Sequence, residues 1–326
     1  MKKILVLTNS EDGIHSESVI DKLEEIGEKV FRFDSDKLGE GGLSVSYHLT
    51  GAGSYFTASC EGRTIDSREI GSVWYRRPNL FNWSIQDPTQ KQFAEEEITS
   101  YLDGLWFCLT DAYWLNSPHN LDRARKKTLQ LQIARDIGFN VPRTLISNNP
   151  EEAKSFLGSI KGGAITKTLN PVYFEKGDDS YNIPTTLLTP EQIANIELTR
   201  NLPTLFQEQI EKEYELRVTV VGSRVFAAKI DSQALKETSI DWRNPRYLGK
   251  LPHSLVELPQ EVSSMCLSLT REFGLNYGAI DLIVDKESKY VFLEINPNGQ
   301  WYWIEHLTGS PISRTIALEL SLNKRT

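Results

Sequence analysis

Near its end the chain reads GAIDLIVD, then four polar residues, then YVFLEIN, and no other stretch constrains the fold as tightly. Both runs are short, apolar and rich in β-branched residues, which favours two antiparallel strands over a helix. Each run also carries a carboxylate, Asp281 and Glu294. If Asp285 and Tyr290 close the turn, Asp281 falls directly opposite Glu294, and the period of two puts Asn296 on the same face. Facing carboxylates repel unless a cation lies between them. Oxygen donors without Cys or His suit Mg2+, which takes one or two protein carboxylates and completes its shell with water and phosphate oxygens. Asp281, Glu294 and Asn296 are therefore candidate metal ligands in a site that a nucleotide would complete. The plainer alternative is a solvated hairpin face with two acids on it.

Beyond Asn296, Pro297 should interrupt strand alternation, which turns Asn298 and Gln300 toward a substrate rather than the metal. Upstream, ELRVTVVG and RVFAAKI form a meander with Gly222-Ser223 as a two-residue turn. Glu215 and Arg217 alternate onto one face there. An arginine so placed can grip a phosphate or carboxylate through two hydrogen bonds, or form a cross-strand ion pair. Lys167, central in GGAITKTL, can reach a phosphate from a strand or simply reach solvent. The P-loop pattern GxxxxGK[ST] is not met, because Thr166 precedes the lysine.

The rest of the chain alternates strands and helices. KILVLT, KVFRFD and SVWYRRP read as strands, with a helix over 16–26, hairpin-like runs in 39–72 and a long helix over 89–109. NLDRARKKTLQLQIARDIG reads as one helix, capped by Asn120 and ended by Gly138. A loop-rich piece at 170–184 precedes the helical TPEQIANIELTR. The net charge of −8 argues against a general nucleic-acid binder. The apolar opening Ile4 to Leu7 is too short for a signal peptide, and no run matches a membrane span. Cys60, Cys108 and Cys266 are widely spaced without CxxC, as in free thiols of a reducing cytoplasm. The five histidines lack metal spacing, and neither GxSxG nor a post-strand GxGxxG occurs.

WYRRP, NSP, FNVPRTLISNNP, ELRVTVVGSRVFAAKIDSQ, DWR and GLNYGAIDLIVD…YVFLEINPNGQWYWIE together resemble the ATP-grasp superfamily. The closer resemblance, along nearly the whole chain, is to the ATP-grasp peptide ligases that macrocyclise microviridin-like peptides, the graspetides. It implies an α/β (α+β) chain with the ATP-grasp fold: an N-terminal α/β domain at 1–118, a small central domain at 119–203 and a C-terminal ATP-grasp domain at 204–326. It implies ATP and Mg2+ as cofactors, with Asp281, Glu294 and Asn296 matching the magnesium ligands. Lys167 and Lys127 match the lysines on the nucleotide phosphates, and the backbone of Glu208 and Ile210 in FQEQI the hinge at the purine edge. Glu215 matches the acid near the ribose and Arg217 the arginine at the transferred phosphate. Arg243 and Asn298 resemble substrate-side contacts, Arg243 as a catalytic residue and Asn298 beside the cofactor.

The implied reaction activates Asp or Glu side chains of a ribosomal precursor peptide as acyl phosphates. Ser/Thr hydroxyls or Lys amines then displace phosphate, giving ω-ester or ω-amide rings. The implied partner is a peptide with a leader and an acidic core, and the implied assembly is a cytoplasmic homodimer. Leader docking maps to 170–200, with Glu191 and Asn195 four apart on one helix face. Arg76 and Arg77 can meet the acidic core or pair with acids of the chain itself. Two other functions remain open: a ligase that adds a free amino acid to a peptide or protein, and a non-catalytic ATP-binding scaffold.

Overall fold

The structure, a computed structural model, describes residues 2–38, 41–78, 84–170, 173–176, 179–243, 247 and 250–325, with backbone alone for 173–176 and 179–182. The first unit runs β1 (Lys3–Thr8), α1 (Ile14–Glu25), β2 (Val30–Asp34), β3 (Leu43–Thr50), β4 (Gly53–Cys60), β5 (Arg63–Asp66), β6 (Ile70–Tyr75), α2 (Pro88–Phe107) and β7 (Tyr113–Leu115). A parallel sheet in the order β2-β1-β6-β7 forms its centre, while β3-β4-β5 make a separate antiparallel sheet. β1 is apolar from Ile4 to Leu7 because both of its faces are covered, as parallel strands require. Leu5 and Leu7 face Phe33, Phe56 and Trp106, whereas Ile4 and Val6 face the far end of the chain.

The middle of the chain holds α3 (Pro118–Arg125), α4 (Lys127–Ile137), β8 (Thr144–Ser147), α5 (Pro150–Gly158), β9 (Ala164–Lys167), β10 (Tyr173–Lys176), β11 (Asp179–Asn182), β12 (Thr186–Leu187), α6 (Pro190–Ala194) and β13 (Thr204–Glu208). Its sheet has the order β12-β9-β13-β8. Two expectations need correction here. The single helix from Asn120 is two helices, broken at Lys126, which is extended (φ −77°, ψ 103°). Ser117 caps the first of them, and Asn120 instead donates to Gly274 O at 2.6 Å. The helix expected over 189–200 stops at Ala194 and continues as a 3-10 turn, Ile196–Asn201.

The last part holds β14 (Lys212–Val221), β15 (Arg224–Ile230), β16 (His253–Val256), α7 (Gln260–Glu272), β17 (Tyr277–Asp285), β18 (Tyr290–Asn296), α8 (Tyr302–Thr308) and α9 (Ile312–Leu322). The antiparallel sheet has the order β16-β15-β14-β17-β18. Gly222, at φ +57°, and Ser223 form the two-residue turn between β14 and β15. Val262, Cys266 and Leu269 of α7 cover one face of this sheet through Val218, Ile280, Leu282 and Phe292, which leaves the other face to the site. α9 then returns to the first unit, where Ile312, Ile316 and Leu320 pack against Ile4 and Val6. No helix among the described residues is long and apolar enough to cross a membrane.

Candidate active site

The site is a cleft between two sheets. One wall is Ile165, Lys167 and Gln207 of β9 and β13; the other is Glu215, Asp281, Ile283, Leu293 and Glu294 of β14, β17 and β18. Ile240, Asp241, Trp242 and Arg243, from the loop between β15 and β16, close over it. Asp281 does lie opposite Glu294, but the register is not uniform. Tyr290 pairs with Val284 rather than Asp285, and a bulge at Leu293 restores the expected pairing from Glu294 to Asn296. Continued regularly from Tyr290, the ladder would set Glu294 against Ile280, facing the core. The extra residue instead puts Leu293 and Glu294, consecutive in the chain, on the cavity side.

Each carboxylate here has its own cation. Arg217 Nη1 donates to Asp281 Oδ1 and Oδ2 at 2.9 and 3.0 Å, both side chains being buried. Lys127 donates to Glu294 Oε2 at 2.6 Å and Arg243 to Glu294 Oε1 at 3.1 Å. Burial alone would raise the Glu294 pKa, but Lys127, Arg243 and Lys167 outweigh it and hold the carboxyl far below the usual range. Lys167 is pushed down to about 8 by burial, with Glu294 opposing that shift and Lys127 and Arg243 reinforcing it. Lys127 reaches Glu294 because the break at Lys126 starts a new helix there. Lys212 pairs with Glu215 at 2.6 Å and also donates to Ile240 O, while burial pushes the Glu215 carboxyl up.

Other expected residues fall in different places. Ile210 lines the cleft. Glu208 turns to the neighbouring segment, its N–H donating to Arg143 O at 3.0 Å and its carboxylate accepting from Arg143 N at 2.8 Å. The Asn296 side chain lies 3.4 Å from Glu294 Oε1. Asn298 and Gln300 give their carbonyls to Arg76 and Arg217, at 3.0 and 3.3 Å. Between them, a Cβ on Gly299 would come within 2.5 Å of Ala279 Cβ and 2.7 Å of Arg217 Nη2, so only glycine fits.

Arg76 is corrected as a peptide contact: it is 1% exposed, 3.2 Å from Asp12 and stacked over Trp301. Burial lowers its pKa to about 10 despite Asp12. Arg77 is exposed. Trp301 belongs to the core, with its indole N–H on Ser313, and Trp303 packs on Trp242. Glu191 and Asn195 are exposed, and the Asn195 amide caps its own helix by donating to Glu191 O at 3.0 Å. In the expected leader region, 171, 172, 177 and 178 lie outside the described residues.

Sequence reasoning missed several groups. Asp241 accepts from Arg243 Nε and Nη2 at 2.9 and 3.0 Å and so aims it at Glu294. The Asp–x–Arg spacing was a usable signal, since an Asp side chain readily bonds the backbone two residues on, here Arg243 N at 3.1 Å. Asn116 is buried and makes four hydrogen bonds, to Asn276 N, Tyr277 N, Tyr277 O and Pro297 O, tying the first unit to the turn after β18. Gln207, fully buried in the cleft wall, carried no signal. Asp281, Glu294 and Asn296 fit Mg2+ by donor type. Among the described residues no three His, Cys, Asp or Glu side chains form a group that could hold a metal ion.

Two sheets gripping a cleft lined with lysine, arginine and paired carboxylates define the ATP-grasp class of ligases. The MvdD pre-ATP grasp domain matches residues 3–122 and the RimK-like ATP-grasp domain residues 124–320. The chain belongs to the RimK-like ATP-grasp family and is an ATP-dependent ligase. It is similar to a Chryseobacterium gregarium RiPP-associated ATP-grasp ligase solved in complex with ADP and a leader and core peptide. That likeness is 32% identity with a TM-score of 0.92, covering 98% of this chain and 97% of the other. The macrocyclase MdnC of Microcystis aeruginosa MRC, solved with precursor peptide MdnA, is 32% identical with a TM-score of 0.87, covering 98% and 99%. A probable alpha-L-glutamate ligase of Klebsiella pneumoniae (strain 342) is 28% identical over 65% of this chain and 68% of its own length.

Proposed function

We propose that the protein uses ATP and Mg2+ to join acidic side chains of a ribosomal precursor peptide to Ser/Thr hydroxyls or Lys amines of the same peptide. The observation that supports this most is the interleaving of Asp281 and Glu294 with Lys127, Lys167, Arg217 and Arg243 around one cleft. A reaction between two anions, a carboxylate and a triphosphate, needs this density of fixed charge. When bound, Mg2+ draws negative charge off the phosphates. Asp281, Glu294 and Asn296 would hold it.

Lys167 and Lys127 neutralise the phosphates, and Arg217 the phosphoryl group in transfer. Ile210 and the Glu208 backbone border the base, Glu215 the ribose, and Asn298 the junction with substrate. Arg243, half-exposed and held by Asp241, orients the substrate carboxylate. A carboxylate oxygen attacks the γ-phosphorus and the bond to the bridging oxygen breaks, releasing ADP. The hydroxyl or amine then attacks the acyl carbon, and phosphate leaves with the bonding pair. Ile240 and Trp242, which close over the cleft, keep water from the acyl phosphate. Arg77, exposed after β6, meets the acidic core, and the central domain at 119–203, with Glu191 and Asn195, meets the leader.

With cognate precursor, ATP and Mg2+, hydroxylamine should capture the activated side chain as a hydroxamate, and ADP should form with each bond made. ADP release without hydroxamate on Asp or Glu would sink this mechanism. The likeness to alpha-L-glutamate ligases favours one second reading, addition of a free amino acid to a peptide or protein carboxylate. That product is heavier than its precursor, whereas a crosslinked peptide is lighter.

A further inference from the structure

Four consecutive carbonyl oxygens follow Asn296, and each accepts from a side chain of a different part of the chain. Asn116 donates to Pro297 O at 3.0 Å, Arg76 to Asn298 O at 3.0 Å, Tyr277 to Gly299 O at 2.7 Å and Arg217 to Gln300 O at 3.3 Å. Gly299 N in turn donates to Asn296 O at 3.1 Å, so the turn closes on Asn296 itself. A surface turn would leave these oxygens to water. Here the turn is fixed residue by residue, and two of its four donors, Asn116 and Arg76, come from the first unit.

Arg76 is the costly one. It is 1% exposed, with its guanidinium 5.0 Å from the ring centroid of Trp301, the residue that ends the turn. Asp12 holds it from behind: Nη2 lies 3.2 Å from Asp12 Oδ1, and Thr8 donates to Asp12 Oδ2 at 3.1 Å. A buried ion pair adds little to stability over apolar groups of the same volume, so the fold alone does not call for an arginine here. What an apolar residue would not supply is the Nη1 donor at Asn298 O, two residues from a candidate metal ligand.

We propose that Arg76 is a positioning residue for the metal centre: braced by Asp12, it fixes the Asn298 carbonyl and, through the turn, the side chain of Asn296, so the first unit sets how tightly the cleft holds a divalent cation. The proposal rests on the reading of Asp281, Glu294 and Asn296 as the Mg2+ ligands. Arg76 acts through Asn296 and touches neither metal nor nucleotide.

The test is titration of Mn2+ into the whole protein with substoichiometric ADP. Mn2+ suits the same oxygen donors, and its free-ion electron paramagnetic resonance signal is lost on binding. Removing Arg76 alone would strand a buried Asp12, so the main variant combines Asp12→Asn with Arg76→Met, which takes away both charges and keeps an acceptor for Thr8. A second variant, Arg76→Lys, keeps the charge beside Asp12 but gives up the planar fork that spans Asp12 and Asn298. Thermal unfolding of each variant establishes that it is folded. Both should bind Mn2+ about tenfold to a hundredfold more weakly than the wild type, the usual cost of losing a group that orients a metal ligand. Asn296→Ala should weaken Mn2+ binding at least as much, and adding the double substitution to it should cost little more. Tyr113→Phe removes a hydrogen bond between the first unit and α9, away from the turn, and should leave Mn2+ binding unchanged. Wild-type affinity in either folded Arg76 variant overturns the proposal while the metal reading stands, as does an equal loss in Tyr113→Phe or full additivity with Asn296→Ala. Wild-type affinity in Asn296→Ala overturns Asn296 as a ligand and the proposal with it.

Discussion

Asp281 and Glu294 are neutralised by groups from different elements, Arg217 from β14, Lys127 from α4 and Arg243 from the loop after β15. Removing one buried partner strands the other. Arg217→Ala should therefore destabilise the protein by about 3–5 kcal/mol in urea unfolding, and an unchanged midpoint would show that Asp281 finds another cation. Lys167 supplies a pH test. Its pKa is lowered to about 8, so the free protein loses this charge as pH rises through that value. Bound phosphates would raise the pKa again, so binding takes up a proton and affinity should fall above about pH 8. Lys167→Arg, charged throughout, should flatten the curve measured by calorimetry. The shared face of Asp281, Glu294 and Asn296 was legible because the expected pairing of Asp281 with Glu294 holds, although a bulge at Leu293 is what secures it. Gln207 was not, since a glutamine inside a hinge strand looks like any polar residue until its amide oxygen is seen to lack a partner among the described residues.

At the scale of elements, the β17–β18 hairpin was read with the right partners from a wrong starting pair. The turn begins one residue earlier than expected, and the bulge at Leu293 cancels the offset. A bulge leaves no mark in an apolar run. Deleting Leu293 should give a regular ladder in which Phe292 and Ile295 keep Leu282 and Ile280 as neighbours and Glu294 keeps Asp281. The deletion variant should fold, with near-wild-type hydrogen-exchange protection in β17, yet bind nucleotide more weakly for want of one slot wall. Loss of that protection would mean that the bulge sets the register. The break at Lys126 was equally hidden, because neither Gly nor Pro marks it. Gln130, buried four residues further on, holds the break by donating to Ala124 O and Ile295 O and accepting from Ile295 N. This bond set depends on a strand more than 160 residues away, beyond any local pattern.

For the whole molecule, the α/β first unit and the two gripping sheets were legible from alternating elements and family resemblance. The return of α9 to the first sheet was not, because an apolar helix does not name the surface it covers. It means that residues 204–326 serve two cores: α7 covers one face of their own sheet, while Ile316 and Leu320 complete the core of the first unit. Asn116 is the polar counterpart of that junction. Asn116→Ala leaves the Asn276 and Tyr277 amides without an acceptor and should cost about 2–4 kcal/mol. Faster exchange at those two amides would report it, and unchanged exchange would place the junction elsewhere. The central claim, that this ATP-dependent ligase closes rings within one peptide, is tested most directly by the intact mass of its cognate precursor after incubation with ATP and Mg2+. The account predicts a mass lower by one water for every crosslink. A mass higher by an amino-acid residue, or an unchanged mass while ATP is consumed, would contradict it.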